Sequence, residues 1–194
     1  MQNGLRWWRS IGLAAACLLC APISGSGALQ ANIAKGGPGE LGVGQGLEFR
    51  SIDGASHRIS ELRGRVAVVN FWATWCGPCR EEMPRLQKLA DLYGPKGVQF
   101  VAISLDEPET QAKIPDLVRK RGLRIPVWTG GTSKTLEVLD LGVLVPSTLI
   151  LDERGEAVGK IEGEAREKDV RSRLDWLLGG RVGKQPKLVQ KNDW

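Results

Sequence analysis

Two cysteines separated by Gly-Pro are the residues whose type and spacing could do chemistry. Cys76 and Cys79 follow an apolar run, Val66–Trp72, that is typical of a strand buried on both faces. They therefore stand where a helix should begin, and unpaired N–H groups there lower the pKa of a thiol. Two thiols at this spacing can also close a small disulfide ring. We predict that Cys76 attacks as a thiolate and that Cys79, one turn later, resolves the mixed disulfide.

Zinc binding is the alternative use of such a pair, but the sequence lacks the other ligands. A structural zinc site needs about four ligands. The only histidine, His57, stands alone, and the remaining cysteines, Cys17 and Cys20, lie in an N-terminal apolar stretch. We therefore expect no metal and no other cofactor beside the redox-active Cys76–Cys79 pair.

The first 31 residues are typical of an export signal. Two arginines give a basic start, and Ile11–Ile23 is apolar. This apolar run of about 13 residues is shorter than the roughly 20 that span a bilayer. We predict a signal peptide at 1–31 and a periplasmic or otherwise extracytoplasmic protein. The alternatives are a retained N-terminal membrane anchor or a lipid on Cys17 or Cys20.

Composition limits the remaining possibilities. With 194 residues, of which 42% are hydrophobic, the chain is long enough for one well-buried domain with terminal extensions. Its net charge of +5 is small and spread out, which gives no basis for nucleic-acid binding. An exported protein with one close-spaced cysteine pair has no long-range disulfide framework, so the pair is expected to be reactive rather than structural.

Turn signals and hydrophobic periodicity predict an α/β domain at 47–178 with a mixed sheet and helices on both faces. A Gly-rich linker at 32–46 precedes it, and a polar, basic tail at 179–194 is predicted to be disordered. The predicted strands are Leu47–Ser51, His57–Ile59, Val66–Trp72, Val98–Leu105, Pro126–Thr129, Thr148–Leu151 and Ala157–Ile161. The predicted helices are Cys76–Tyr93, Pro108–Arg121 (divided or bent by Pro115), Ser133–Leu141 and Glu164–Leu178.

Two strings carry a family resemblance. NFWATWCGPCREEMP resembles the exported thioredoxin-like reductases of the TlpA/ResA type, and VPSTLILDERG resembles their cis-proline loop and the hairpin that follows it. The similarity runs from about Leu47 to Leu178. It implies a thioredoxin fold with an N-terminal β-hairpin and a central helical insertion around Glu107–Gly130.

The resemblance also implies a substrate-binding surface. Pro146 matches the family's cis-proline, which would hold the backbone of Val145 beside the disulfide, where it can pair with an extended client segment. Trp75 would form part of an apolar contact surface, and Gly77 and Pro78 would set the loop between the cysteines.

One position departs from thioredoxin in a way that indicates a different proton acceptor. Asn70 replaces the buried aspartate that thioredoxin carries six residues before its first cysteine. Glu82 lies three residues after Cys79, on the same helix face, and the ResA-type proteins carry a glutamate there. The resemblance implies that Glu82 tunes or deprotonates the thiols, and burial would raise its pKa towards working pH. The alternative is a solvated helix residue like Glu81.

The Gly-Pro dipeptide is that of thioredoxin, so the expected direction is reduction of protein disulfides. The expected partners are oxidised client proteins, such as those awaiting haem or copper, and a membrane dithiol donor of the DsbD/CcdA type; a monomer is expected. The cytochrome c branch of the family usually has an acid near its cis-proline loop, which Gly142–Ser147 lacks.

Three rival functions stand beside the reductase. A disulfide-forming oxidase would use the same residues in reverse, and a non-enzymatic copper carrier would use the two thiols as ligands. A peroxiredoxin-like peroxidase would need a threonine three residues before its cysteine, where Ala73 stands.

Overall fold

The computed structural model describes residues 43–44 and 46–192. The predicted signal peptide or anchor at 1–31 lies outside the described residues, as does the predicted linker apart from positions 43, 44 and 46. Among the residues that are described, no helix has the length and apolar character needed to cross a membrane.

Eight strands of the described chain form one mixed sheet in the order β2-β1-β5-β4-β3-β6-β7-β8. The strands are β1 (Glu48–Ser51), β2 (Ser56–Arg58), β3 (Ala67–Trp72), β4 (Gln99–Ser104), β5 (Val127–Thr129), β6 (Ser147–Leu151), β7 (Ala157–Glu162) and β8 (Val189–Lys191). Strands β3, β4 and β5 run parallel, as do β7 and β8, and the other neighbours are antiparallel. The predicted mixed sheet and both predicted hairpins, β1–β2 and β6–β7, are confirmed.

Five α-helices complete the described domain. They are α1 (Gly77–Tyr93), α2 (Pro108–Gln111), α3 (Ile114–Arg121), α4 (Ser133–Val138) and α5 (Glu167–Leu178). The predicted helix at Pro108–Arg121 is divided into α2 and α3, with Pro115 in the first turn of α3, where its missing N–H costs no helical bond.

Strand β3 lies at the centre of the sheet, which explains its apolar run. All six of its residues are buried, and it pairs with β4 on one side and β6 on the other. Each large apolar side chain buried in this way stabilises the fold by about 2 kcal/mol. The strand ends at Trp72, and α1 begins five residues later, so the cysteine pair lies where a fully buried strand leads into the longest described helix.

The prediction of a disordered tail at 179–194 is wrong for its last described part. Val189–Lys191 forms β8, which pairs with the outer edge of β7. The Asn192 amide then donates to the carbonyl of Glu164 at 2.7 Å and to the Asp169 carboxylate at 3.0 Å. The unpaired edge of β7 supplies the backbone partners for a segment whose own sequence has no strand periodicity.

Candidate active site

The cysteine pair lies at the N-terminus of α1 and forms a disulfide with an S–S distance of 2.01 Å. Cys76 is the N-cap residue, with extended backbone, and its Sγ accepts the backbone N–H of Cys79 at 3.2 Å. Pro78 stands in the first turn, where its fixed φ suits a helix start. Cys76 keeps 5% of its surface exposed, whereas Cys79 has none. An approaching thiol or disulfide can therefore reach Cys76 first.

The loop before β6 brings a carbonyl to the disulfide. The Val145-Pro146 peptide bond is cis, which confirms the predicted isomer. The carbonyl oxygen of Val145 lies 3.7 Å from the Sγ of Cys76, within reach of a reduced thiol at that position. This proximity follows from strand register: β6 pairs antiparallel with β3, with Ser147 opposite Phe71, so the residue before β6 lies beside the end of β3.

Exposed apolar side chains stand next to both members of this contact along the chain. Trp75, next to Cys76, is 63% exposed, and Val143 and Leu144, just before Val145, are also exposed. Singly exposed apolar residues are ordinary, but three that flank one reactive sulfur and its neighbouring carbonyl indicate a contact surface. We call Trp75, Val143 and Leu144 the apolar rim. A Cβ added at Gly77 would meet no atom within 4 Å, so the fold itself does not require glycine there.

Glu82 is fully buried on α1, so the alternative of a solvated residue like Glu81, which is exposed, is wrong. Its Oε1 accepts the Asn70 amide N–H at 2.8 Å, and its Oε2 accepts the backbone N–H of Ala165 at 2.7 Å. Burial raises the pKa of Glu82 to about 7, and the two hydrogen bonds and the charge of Arg85 offset only part of that effect. The predicted burial and raised pKa are confirmed; the role in thiol chemistry stays a prediction.

Asn70 explains why an acid at position 82 is compatible with this core. The Asn70 amide nitrogen donates to both Glu82 and the Thr148 hydroxyl, the latter at 3.0 Å. An aspartate at position 70 would have no such N–H when ionised and would place a second carboxyl against Glu82. The amide at position 70 and the acid at position 82 are therefore compatible with each other in this core.

Asp106 holds the loop that leads to Cys76, and the sequence reasoning missed it. This buried carboxylate accepts the backbone N–H of Thr74 at 2.8 Å and the Thr74 hydroxyl at 2.5 Å. The Ser104 hydroxyl also donates to it at 2.7 Å, and the Arg80 guanidinium donates to the Thr74 carbonyl at 3.3 Å. The available signal was position: Asp106 follows β4, and the carboxyl ends of parallel neighbours β3 and β4 meet at one edge.

Replacing Asp106 with asparagine is expected to lower the free energy of unfolding by about 2 kcal/mol, because the amide NH2 faces donors and a charge-assisted hydrogen bond is lost. Denaturant unfolding measures this change. Asp116→Asn is the matched control. Within the described part of the chain Asp116 pairs with Arg119 on the exposed surface of α3, so this replacement should change stability little. Equal losses in both variants would contradict the assigned role of Asp106.

His57 lies away from the cysteines. It sits in β2, its ring stacks on Trp128 with centroids 4.6 Å apart, and its Nδ1 lies 2.9 Å from the Glu61 carboxylate. Across residues 43–44 and 46–192, no three His, Cys, Asp or Glu side chains are grouped as ligands of one metal ion.

Comparison with known proteins places these features in context. The sequence profile of the family described as Redoxin matches residues 47–177. The thiol-disulfide oxidoreductase ResA of Geobacillus kaustophilus is 32% identical over 124 residues, covering 64% of this chain and 70% of the relative. ResA of Halalkalibacterium halodurans is 33% identical over 141 residues, covering 72% of this chain and 76% of the relative.

Solved structures share the fold. A thioredoxin family thiol:disulfide interchange protein from Chlorobium tepidum matches with a TM-score of 0.57 and 26% identity, covering 69% of this chain and 93% of that structure. StoA from Bacillus subtilis matches with a TM-score of 0.54 and 20% identity, covering 65% of this chain and 93% of that structure. The domain therefore has a thioredoxin fold, and α2 and α3 lie in the predicted central insertion.

Proposed function

The chain belongs to the redoxin family as a thiol-disulfide oxidoreductase of the TlpA/ResA type, and from that premise we propose that it reduces disulfides of client proteins outside the cytoplasm. The observation that carries the proposal is the arrangement of the two sulfurs. Cys76 is the accessible one and lies against the Val145 carbonyl, while Cys79 is buried behind it.

The proposed reaction moves two electrons to the client in two exchange steps. The Cys76 thiolate attacks one sulfur of the client disulfide, and the other client sulfur leaves as a thiolate that takes a proton. Cys79 then loses its proton and attacks the Sγ of Cys76, which releases the second client thiolate and leaves the Cys76–Cys79 disulfide. In this proposal Glu82, whose pKa is raised to about 7, accepts the proton from Cys79.

Client docking is proposed to use the apolar rim and the Val145 backbone. An extended client segment could pair with the N–H and C=O of Val145 as a short added strand, with its apolar side chains against Trp75 and Leu144. The open space above Gly77 supports this arrangement, because a side chain there would stand where the client approaches.

The electron supply follows from the chemistry. Each turnover ends with the oxidised pair, so a donor dithiol must reduce it again, and for an exported protein we propose a membrane carrier of the DsbD/CcdA type. Clients with cysteines that bind haem or copper are the proposed substrates. The predicted signal at 1–31 supports the location, although it lies outside the described residues.

The reduction potential tests the direction. We expect a value near the roughly −270 mV of thioredoxin, because the two share the Gly-Pro dipeptide between the cysteines. Equilibration of the purified protein with glutathione buffers, read by thiol alkylation, gives the value. A potential above about −150 mV would instead favour the disulfide-forming oxidase.

A copper titration of the reduced protein distinguishes the reductase from the non-enzymatic copper carrier. If the protein is a reductase, its two thiols should bind Cu(I) no more tightly than a simple dithiol competitor does, because they offer Cu(I) the same two soft thiolate ligands. Tight 1:1 binding that blocks disulfide exchange would favour the carrier.

A further inference from the structure

A groove of about 820 Å³ lies where the β1–β2 hairpin, β5 and the start of β4 adjoin in the sheet, and neither cysteine lines it. It is lined by the start of β4, Gln99–Val101. The parallel register pairs Gln99 with Ala67, the first residue of β3, whereas the cysteines follow the last. Trp128 also lines the groove and pairs with Ile103, which lies opposite Phe71, so the groove extends along β4 and β5 towards the end of β3 without including either cysteine. Its volume falls in the range of small-molecule sites, roughly 300–1,000 Å³.

The walls of this groove, which we call the hairpin groove, are mainly apolar and aromatic. They include Ile52, Leu62, Val101, Pro126, Val127 and Trp128. The imidazole of His57 also lines it and stacks on the Trp128 indole with only 2° between the two ring planes. Such a stacked pair presents a flat surface, which suits a planar ring better than a branched aliphatic chain.

Three polar side chains of the hairpin groove offer hydrogen-bond acceptors, those of Gln99, Asp53 and Glu61, whereas the Ser51 hydroxyl and the His57 ring can also donate. The side-chain Oε1 of Gln99 is buried and has no hydrogen-bond partner among the described residues. The carboxyl groups of Asp53 and Glu61 also line the groove, and no lysine or arginine does so within the described chain. A desolvated acceptor that lacks a donor is costly, so a ligand N–H at Gln99 would remove that cost.

We propose that the hairpin groove binds a small planar aromatic molecule that carries a hydrogen-bond donor and a positive charge, an aromatic amine. The ring packs between the apolar wall and the His57–Trp128 stack. A ring N–H donates to Gln99, and the ammonium group lies towards Asp53 and Glu61. This site is separate from the disulfide exchange of Cys76 and Cys79, so its test does not depend on the direction of that reaction.

Two matched probes test the proposal on the full-length oxidised protein. Tryptamine and indole-3-propionate share the indole ring and differ in the sign of the side-chain charge. Titration followed by ¹H–¹⁵N NMR is expected to shift the amides of Gln99–Val101 and Val127 and to show tryptamine binding at least about tenfold more tightly. Equal affinities would indicate apolar adsorption and would overturn the proposal.

Variants locate the contacts. Gln99→Leu is expected to weaken tryptamine binding about tenfold, because the ring N–H loses its acceptor. Asp53→Asn is expected to reduce the preference for tryptamine over indole-3-propionate. Gln190→Leu, in the distant strand β8, is the control and should leave both affinities unchanged.

Three results would overturn the proposal. The first is unchanged binding in Gln99→Leu when its thermal unfolding matches the wild type. The second is a set of shifts centred on the apolar rim instead of the hairpin groove. The third is the absence of shifts with either probe. Disulfide-exchange activity should be unaffected in Gln99→Leu, Asp53→Asn and Gln190→Leu.

Discussion

A Cys79→Ser variant is expected to lose disulfide-exchange turnover by roughly a thousandfold or more and to accumulate clients covalently attached to Cys76. The first exchange step needs only Cys76, which is the more exposed sulfur. The second step needs a thiolate directly behind Cys76, and serine cannot supply one. Because the mixed disulfide then has no internal resolver, it waits for an external thiol.

The adducts are measured by acid quenching, alkylation and non-reducing electrophoresis, followed by mass spectrometry of the captured proteins. Cys76→Ser is the matched control and should capture nothing, since Cys79 has no exposed surface. Adducts on Cys79 in that control would reverse the assigned roles of the two cysteines. The captured proteins would also name the clients, and clients with haem- or copper-binding cysteines would support the proposed substrates.

The parts of the site that were predictable from the sequence are those encoded by local pattern. An apolar run followed by Cys-x-x-Cys specifies a buried strand and a helix start, and the structure places both cysteines there. Pro146 was found because its surrounding string carries the cis-proline signature. Glu82 was found because helix spacing puts it on the face of Cys79 and because the resemblance to ResA-type proteins implies a glutamate at that position.

The parts that were missed depend on contacts between distant segments. The hydrogen bond from Ala165 to Glu82 joins residues 83 positions apart, and that from Thr74 to Asp106 joins residues 32 apart. Neither can be derived from spacing before the strand order is known. Strand β8 was missed for a related reason, because the short segment Val189–Lys191 forms a strand only where the edge of β7 is already in place.

Glu82→Gln is expected to change how stability depends on pH. The pKa of Glu82 is raised from its ordinary value of 4.5 to about 7 in the folded protein, so the folded state holds this proton while the unfolded state releases it. Its favourable contribution is therefore complete below pH 4.5 and is lost as pH rises through about 7. A shift of this size corresponds to about 3 kcal/mol.

Denaturant unfolding of the oxidised protein at pH 4.5 and pH 8 measures this effect without titrating the cysteines. The wild type should lose about 3 kcal/mol more stability between these pH values than Glu82→Gln does. Because only the change in the free energy of unfolding between the two pH values is compared, any pH-independent cost of placing an amide opposite Asn70 cancels. Glu81→Gln, on the exposed side of the same turn, should keep the wild-type slope.

The same substitution tests whether Glu82 acts on the thiols. In the reduced protein, removing a nearby carboxylate should lower the pKa of the cysteines, because a like charge no longer opposes thiolate formation. Yet disulfide exchange at pH 7 should slow by about a hundredfold, since the internal acceptor for the Cys79 proton is gone. If the cysteine pKa falls in Glu82→Gln while disulfide exchange becomes slower, Glu82 transfers a proton and does not act through its charge alone. Thiolate absorbance across pH and stopped-flow exchange measure the two quantities, and unchanged cysteine pKa values would remove Glu82 from the mechanism.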